Sequence, residues 1–167
     1  YNRAYLDTFL KDAFISTNAT SAPLSVAFAD LDRFKSINDT FGHAVGDQIL
    51  VTTANILKAN VRASDVVARY GGEEFMLVFP STDYGLLKTI CERIVKAFQD
   101  TRHYVDVKRD FGVTVSIGMA THNDGRLFAS VEELLKAADK ALYTAKLQGR
   151  NRSVPFDLVA NSQVAFM

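Results

Sequence analysis

The apolar residues of this chain follow a helical spacing in some segments and a strand-like spacing in others. The order of these segments restricts the possible folds more than any other feature. Spacings of three and four residues predict four helices, near 6–14, 45–57, 86–98 and 131–145. Short apolar or alternating runs predict four strands, at 24–30, 65–70, 75–79 and 113–119. Residues 104–108 are interpreted as the hairpin partner of 113–119, with the turn near 110–112. The order strand, helix, strand, strand, helix, strand predicts a ferredoxin-like β-α-β-β-α-β core of the α+β class, with antiparallel pairs in its central sheet.

The chain is expected to form a single domain over residues 1–167. The predicted parts are an N-terminal helix within 1–22, a core within 23–152, and a tail of 153–167 that adds a short strand at 153–156 or an extra hairpin or helix. No apolar run approaches the roughly 18 residues of a membrane helix. No signal-peptide pattern opens the chain. We therefore expect a soluble, cytoplasmic domain that makes no membrane contact.

Charge and cysteine content exclude several classes of protein. Lysine plus arginine number 19 and aspartate plus glutamate number 19, so the formal net charge is zero. A neutral chain lacks the basic surface of a general nucleic-acid or anionic-lipid binder. Apolar residues at 48% and charged residues at 23% exclude a disordered chain. Cys91 is the single cysteine, which excludes an internal disulfide framework and a thiolate zinc cluster, and its place on an apolar stripe predicts a buried, inert thiol.

Acidic residues mark the ends of two strands that this topology makes central neighbours. Asp30 closes the first strand, and Glu73 and Glu74 open the third after a turn at Gly71 and Gly72. The crossover makes the first two strands parallel and the hairpin reverses the third, so these acids should meet at one end of the sheet. Close carboxylates repel unless a cation lies between them, and Mg²⁺ is commonly bound by one or two carboxylates plus substrate phosphates. The glycines would leave room for a triphosphate; alternatively, the glutamates are simply solvated and Asp30 caps the next segment.

Polar residues elsewhere fit a nucleotide, although each also has a simpler explanation. A short helical turn after the first strand would aim its amides at the acidic cluster, and Lys35 adds a positive charge there. Asn38 and Asp47 offer the donor and acceptors that guanine requires, or they are a turn residue and a charge in a first helical turn. Lys146 and Arg150 flank the end of the last helix, where they either bind the β- and γ-phosphates or complement the helix dipole.

Five separately placed motifs resemble the GGDEF family of diguanylate cyclases, in its GGEEF form. They are, in chain order, DLDRFKSIND from Asp30, GHAVGD from Gly42, RYGGEEF from Arg69, TVSIGMA from Thr114 and ADKALYTAKLQGRNR from Ala138. The opening YNRAYL is similar to the end of the family's first motif. The resemblance covers nearly the whole chain and implies a nucleotide-cyclase-like version of the predicted core. It also leads us to expect a catalytic domain taken from a longer signalling protein.

The resemblance implies that two GTP molecules are joined into cyclic di-GMP with release of two pyrophosphates, across a homodimer in which each domain presents one GTP. It implies two Mg²⁺ or Mn²⁺ ions per active site, with Glu73 and Glu74 as catalytic residues. The implied metal ligands are Asp30, the Leu31 carbonyl, Glu73 and Glu74. The implied substrate-binding residues are Phe34, Lys35, Asn38, His43, Asp47, Gly71, Gly72, Lys146 and Arg150.

A second cluster is similar to the family's RxxD product-inhibition motif. Arg62 and Asp65 lie three residues apart just before the second strand, and Arg93 lies where the family often supplies another arginine. The strand at 65–70 spans about 20 Å at about 3.3 Å per residue, so a product bound at Arg62 could not touch the glycine turn and its inhibition would be non-competitive. Without the family context, an arginine and an aspartate at this spacing are ordinary surface charges.

Two other functions fit the same fold. A catalytically silent module would bind GTP or cyclic di-GMP and pass a signal to a partner, although the intact acidic and phosphate-binding positions argue against it. RNA binding on a ferredoxin-like sheet would need exposed strand aromatics and a basic face, which zero net charge disfavours. An active diguanylate cyclase is therefore the leading hypothesis.

Overall fold

A computed structural model describes residues 1–156, in which there are five helices and seven strands. The helices are α1 (Arg3–Thr20), α2 (Phe34–Phe41), α3 (His43–Ala59), α4 (Tyr84–Asp100) and α5 (Val131–Leu147). The strands are β1 (Leu24–Leu31), β2 (Val66–Arg69), β3 (Glu74–Pro80), β4 (Arg102–Asp106), β5 (Arg109–Gly112), β6 (Val115–His122) and β7 (Arg152–Pro155). Every predicted helix and core strand overlaps one of these elements, and α2 is the helical turn predicted after the first strand.

Five of the strands form one sheet, in the order β2-β3-β1-β6-β7. β1 is antiparallel to β3 on one side and to β6 on the other, and β2 is antiparallel to β3. This order is the ferredoxin-like arrangement that the sequence predicts, so the α+β fold class is confirmed. β7 extends the sheet as a parallel neighbour of β6.

Helices cover both faces of the sheet, and residues along each strand alternate between the two faces. On β1, Val26 and Phe28 belong to the core cluster that includes residues of α1 and α5. Ala27 and Ala29 belong to the cluster that includes residues of α3 and α4. Cys91 lies in that second cluster and is fully buried, as predicted. Burial raises the pKa of its thiol to about 12, so the thiol stays protonated and unreactive.

α5 packs closely against β6 at Gly118. A Cβ at this position would overlap two backbone atoms of α5, the Leu142 nitrogen and the Ala138 carbonyl oxygen. Glycine in a strand often marks such a close approach of another backbone. Gly118 therefore sets how deeply α5 sits on the sheet, and α5 in turn carries Lys146 to the end of β1.

The prediction that residues 104–108 pair with 113–119 is wrong. β4 pairs with β5 in a separate two-stranded sheet, and both sides of β6 are occupied by β1 and β7. The chain turns earlier than expected because Asp106 Oδ1 accepts hydrogen bonds from the backbone nitrogens of Lys108 and Arg109, at 2.9 and 3.0 Å. An aspartate that bonds to the backbone just after it forms a local turn, an interaction that apolar spacing does not report.

The tail is described only as far as residue 156. Its first residues belong to β7, close to the short strand predicted at 153–156. The further hairpin or helix predicted for the tail falls on 157–167, outside the described residues. Among the helices of the described part of the chain, none combines the length and the apolarity needed to cross a membrane.

Candidate active site

The acidic residues predicted to converge lie where β1 ends and β3 begins. Asp30 is paired in register with Glu74 across the two strands. The Leu31 backbone nitrogen donates to the Glu73 carbonyl oxygen at 3.2 Å. The Asp30 side chain is only 13% exposed. Adjacent strands lie about 4.8 Å apart, so the topology brings together carboxylates that are far apart in the sequence.

Lys146 reaches this cluster from the last turn of α5. Its ammonium group donates to Asp30 Oδ2 at 2.9 Å. Burial raises the pKa of Asp30, while the hydrogen bond and the charge of Lys146 act in the opposite direction. Burial also raises the pKa of Glu74, and the nearby carboxylates of Asp30 and Asp139 raise it further. Carboxylates that resist ionisation in this way would be stabilised in their charged form by an additional cation.

The oxygen atoms at this end of the sheet fit a hard divalent cation that is bound together with phosphate. Within residues 1–156, no three histidine, cysteine, aspartate or glutamate side chains are placed so that they could hold a metal ion by themselves. Asp30, Glu73 and the Leu31 carbonyl provide a partial set, which Mg²⁺ commonly completes with substrate phosphates and water. The Lys146 ammonium shows that Asp30 already takes a cationic partner. The predicted ion therefore fits these residues only if water or phosphate supplies its further oxygen ligands.

Gly71 and Gly72 leave open space at the tip of the β2–β3 hairpin. Neither has a positive φ. A Cβ at Gly72 would meet nothing within 4 Å, and one at Gly71 would make only an ordinary contact. The fold itself does not require glycine at either position, which favours a ligand that approaches the turn. Arg69 braces the turn by donating to the carbonyl oxygens of both glycines at 2.7 to 3.1 Å, a contact that sequence reasoning missed.

α2 begins close after the acidic cluster. Arg33 precedes it in a left-handed conformation, with φ of 57°, and its side chain does not cap the helix. The first backbone N–H groups of a helix have no intrahelical partner, so they can bind an anion. Lys35 is exposed beside them. Phe34 is buried in the core, so it could contribute to phosphate binding only through its backbone.

Asn38 and Asp47 lie on the consecutive helices α2 and α3. Asn38 Oδ1 is buried without a hydrogen-bond partner in the described residues, and it lies over Gly46, where a Cβ would overlap it. A buried polar atom without a partner is uncommon in a folded protein. Asp47 is exposed and, together with Phe75, lines a groove between α3 and the β2–β3 hairpin. His43 is exposed at the start of α3.

The turn after α5 is attached to the end of β1. Residues 149–151 all have positive φ, and the Asn151 backbone nitrogen donates to Asp32 Oδ2 at 3.0 Å. The turn that carries Arg150 is thereby anchored beside the acidic cluster. Asp32 is a buried residue that sequence reasoning missed as part of the site. Its position two residues after Asp30, in the same motif, is the signal that could have indicated it.

The second predicted cluster lies at the other end of β2 from the glycine turn. Arg62 donates to both carboxylate oxygens of Asp65, at 3.0 and 3.3 Å, and also to the Thr82 hydroxyl. The Asp65 side chain is fully buried, whereas that of Arg62 is 45% exposed. Arg93 donates to the side-chain and backbone oxygens of Asn60. These contacts give Asp65 a structural role in the loop before β2, and product binding by the two arginines stays a prediction.

Comparison with known proteins identifies relatives over most of the chain. A family model described as the GGDEF domain of diguanylate cyclases matches residues 1–152. Diguanylate cyclase DosC from Escherichia coli K12 is 40% identical over 151 residues, which cover 90% of this chain and 32% of DosC. The response regulator PleD from Caulobacter vibrioides is 41% identical over 160 residues, which cover 92% of this chain and 34% of PleD. The chain therefore spans about a third of the length of these curated relatives.

Solved structures agree with the fold described above. The GGDEF domain of YfiN (also called TpbB) from Pseudomonas aeruginosa superposes with a TM-score of 0.90 at 32% identity, covering 98% of this chain and 94% of that domain. The GGDEF domain of DgcB from Caulobacter crescentus, solved in complex with c-di-GMP, gives a TM-score of 0.85 at 32% identity, covering 92% of this chain and 90% of that domain.

Proposed function

This chain belongs to the GGDEF family of diguanylate cyclase domains, and on that premise we propose that it joins two GTP molecules into cyclic di-GMP and releases two pyrophosphates. The observation that carries the proposal is the meeting of Asp30 with Glu73 and Glu74 beside an open glycine turn. The DgcB GGDEF domain in complex with c-di-GMP supports the class of product.

The proposed reaction balances as two identical transfers. In each, the 3′-oxygen of one GTP bonds to the α-phosphorus of the other, and the bond from that phosphorus to pyrophosphate breaks. Mg²⁺ or Mn²⁺, two per site, would lower the pKa of the attacking hydroxyl and neutralise charge on the pyrophosphate. Asp30, Glu73, Glu74 and the Leu31 carbonyl would hold these ions. We assign to Glu73 the acceptance of the proton that the 3′-hydroxyl loses.

The remaining predicted residues would bind and orient GTP. The first amides of α2, with Lys35, Lys146 and Arg150, would hold the phosphates. Asn38 and Asp47 would bind the guanine base, with His43 on the same segment and Gly71 and Gly72 leaving room for the triphosphate. One site presents only one GTP, so turnover requires two domains that face each other as a homodimer. A monomer would bind GTP without forming product. Because the reaction consumes GTP, we place it in the cytoplasm.

The direct test is to incubate the purified chain, alone and fused to a dimerising coiled coil, with GTP and Mg²⁺ and to identify the products by chromatography and mass spectrometry. Glu73→Gln and Glu74→Gln keep the side-chain shape but remove the charge, so we expect each to lower turnover of the dimerised protein at least a hundredfold. Glu132→Gln, an exposed glutamate at the start of α5, is the matched control and should keep full activity. Unchanged turnover in both active-site variants would refute the assignment. GTP binding without any product from the forced dimer would favour the catalytically silent module.

Product inhibition through Arg62 and Arg93 is the finer part of the proposal. Arginine side chains bind phosphate and stack on bases, and Arg62 is half-exposed at the far end of β2 from the glycine turn. We expect Arg62→Ala to raise the final yield of cyclic di-GMP without changing the initial rate. Lys96→Ala, on the exposed face of α4, is the control. If added cyclic di-GMP slows the Arg62 variant and the parent protein equally, this site is not inhibitory.

A further inference from the structure

Asp32 carries a buried carboxylate that the proposed reaction does not use. It is 6% exposed and accepts three hydrogen bonds. The donors are Thr114 Oγ1 at 2.7 Å, Ser116 Oγ at 2.6 Å and the Asn151 backbone nitrogen at 3.0 Å. No salt bridge to Asp32 occurs within residues 1–156. Burying a charged carboxylate is costly, and at Asp32 only hydrogen bonds from neutral donors offset that cost. Each of the three donors therefore contributes to stabilising the charge.

The turn that Asp32 holds has a backbone conformation that few residues adopt unaided. Gly149, Arg150 and Asn151 have φ of 115°, 64° and 51°, and only the first is glycine. Left-handed backbone is disfavoured for residues with a side chain, so it persists where the surroundings fix it. Asp32 bonds the turn from the β1 side, and Gln99 Nε2 on α4 donates to Asn151 Oδ1 at 3.0 Å from the other.

Two carboxylates of one motif thus contact the segment at the end of α5 that carries Lys146 and Arg150. Asp30 takes the side chain of Lys146 directly. Asp32 accepts a hydrogen bond from the backbone nitrogen of Asn151, the residue next to Arg150. We propose that Asp32 is a positioning residue, which acts through Arg150 by fixing the 149–151 turn so that the guanidinium faces the triphosphate. This inference rests on the proposed function, because it requires a nucleotide at the acidic cluster.

The substitution Asp32→Asn keeps the shape of the side chain and removes its charge. An amide has a single acceptor oxygen, so at least one of the three donors would then face an NH₂ group. With the amide oxygen in the place of Oδ2, the Asn151 N–H would donate to a neutral oxygen instead of a charged one, so we expect the 149–151 turn to be held less firmly. The probes are α,β-methylene GTP with Mg²⁺, in which the bond to be broken is replaced, and guanosine, which has no phosphate. Calorimetry should show up to about tenfold weaker binding of the analogue to the variant, the size expected when a charged hydrogen bond becomes a neutral one, and unchanged binding of guanosine.

A double-mutant cycle with Arg150→Ala tests whether the effect passes through the turn. If Asp32 acts through Arg150, adding Asp32→Asn to the Arg150→Ala variant should weaken analogue binding no further. Ser25→Ala is the matched control, because it also removes a buried hydrogen bond, to the Thr82 carbonyl oxygen, but at the opposite end of β1. It should leave analogue binding unchanged. If Asp32→Asn does not fold, Thr114→Val removes one donor from the same carboxylate and should weaken the analogue about threefold.

Three results would overturn the proposal. Asp32→Asn could weaken the analogue and guanosine by the same factor, which would indicate a general structural role. The effects of Asp32→Asn and Arg150→Ala could multiply, which would show that the two residues act independently. Thr114→Val could bind the analogue as the parent protein does. In each case the parent protein still binds the analogue with Mg²⁺; if it binds none, the proposed function fails first and this inference fails with it.

Discussion

Gly46 offers a sharp test of how the base would be bound, because the Asn38 side chain occupies the space that a Cβ at Gly46 would take. It lies inside α3, and a Cβ built there would overlap the Asn38 carboxamide and lie 3.3 Å from Phe34 Cζ. The substitution Gly46→Ala should therefore push Asn38 out of place. The backbone of Gly46 does not have a positive φ, so alanine is compatible with the helix at this position.

The expected effect on stability is the sum of two opposing contributions. Replacing glycine with alanine in a helix interior stabilises it by about 0.5–1 kcal/mol. Inserting a methyl group against a packed neighbour costs about 1–3 kcal/mol. The net change in unfolding free energy should lie between no effect and about 2.5 kcal/mol of destabilisation. In an Asn38→Ala background the obstructing carboxamide is gone, so the same substitution should instead stabilise the protein by about 0.5–1 kcal/mol.

Urea unfolding and guanosine binding together measure both consequences. Gly46→Ala should weaken guanosine binding about tenfold in the parent protein, since one hydrogen bond to the base is lost, and should have no further effect in the Asn38→Ala variant. Equal stabilisation by Gly46→Ala in both backgrounds, with guanosine binding intact, would refute this reasoning. It would mean that Asn38 moves aside freely and does not contact the base.

Two further substitutions test other features of the fold. Gly118→Ala places a methyl group against backbone atoms of α5, which cannot rotate away, so we expect a loss of about 2–3 kcal/mol in unfolding free energy. Gly72 has open space around it, so the Gly72→Ala variant should be as stable as the parent protein but should bind α,β-methylene GTP more weakly. Burial lowers the pKa of His122, whose Nδ1 accepts from the Phe128 backbone nitrogen and whose Nε2 bonds Asn18 Oδ1. The folded protein therefore binds this proton less readily than the unfolded chain, so its stabilising contribution is present above about pH 6.5 and is lost as the pH falls below that value. The His122→Gln variant should show a smaller fall in urea midpoint between pH 7.5 and pH 5.5 than the parent, and identical falls would contradict the assignment.

The sheet and the position of the acidic cluster could be predicted because both follow from the order of the elements. A strand, a crossover helix and a hairpin leave few ways to arrange three strands, and they bring Asp30 to Glu73 and Glu74. The β4–β5 hairpin could not be predicted in the same way. Its turn depends on the side chain of Asp106 bonding to the backbone, and many loops contain an aspartate that makes no such bond.

The supporting contacts of the site were also beyond the reach of the sequence. The acceptor role of Asp32 depends on the register of β6 against β1 and on the conformation of the 149–151 turn. From the sequence, Arg69 is only the last residue of a strand, and nothing indicates that its guanidinium donates to the glycine turn. Long-range side-chain contacts of this kind are set by three-dimensional packing, and spacing along the chain does not encode them.

The ion pair between Lys146 and Asp30 has a consequence for how the binding of metal and of nucleotide would be coupled. While the amine neutralises Asp30, a divalent ion must compete with it for the same oxygen. If the chain binds GTP as proposed, the triphosphate would offer the amine another anionic partner and free the carboxylate. Each ligand should then raise the affinity of the protein for the other by the same factor, as thermodynamic linkage requires. Under the proposed function, the Lys146 ammonium would thus occupy the place of a metal ion on Asp30 until the ion and the nucleotide bind.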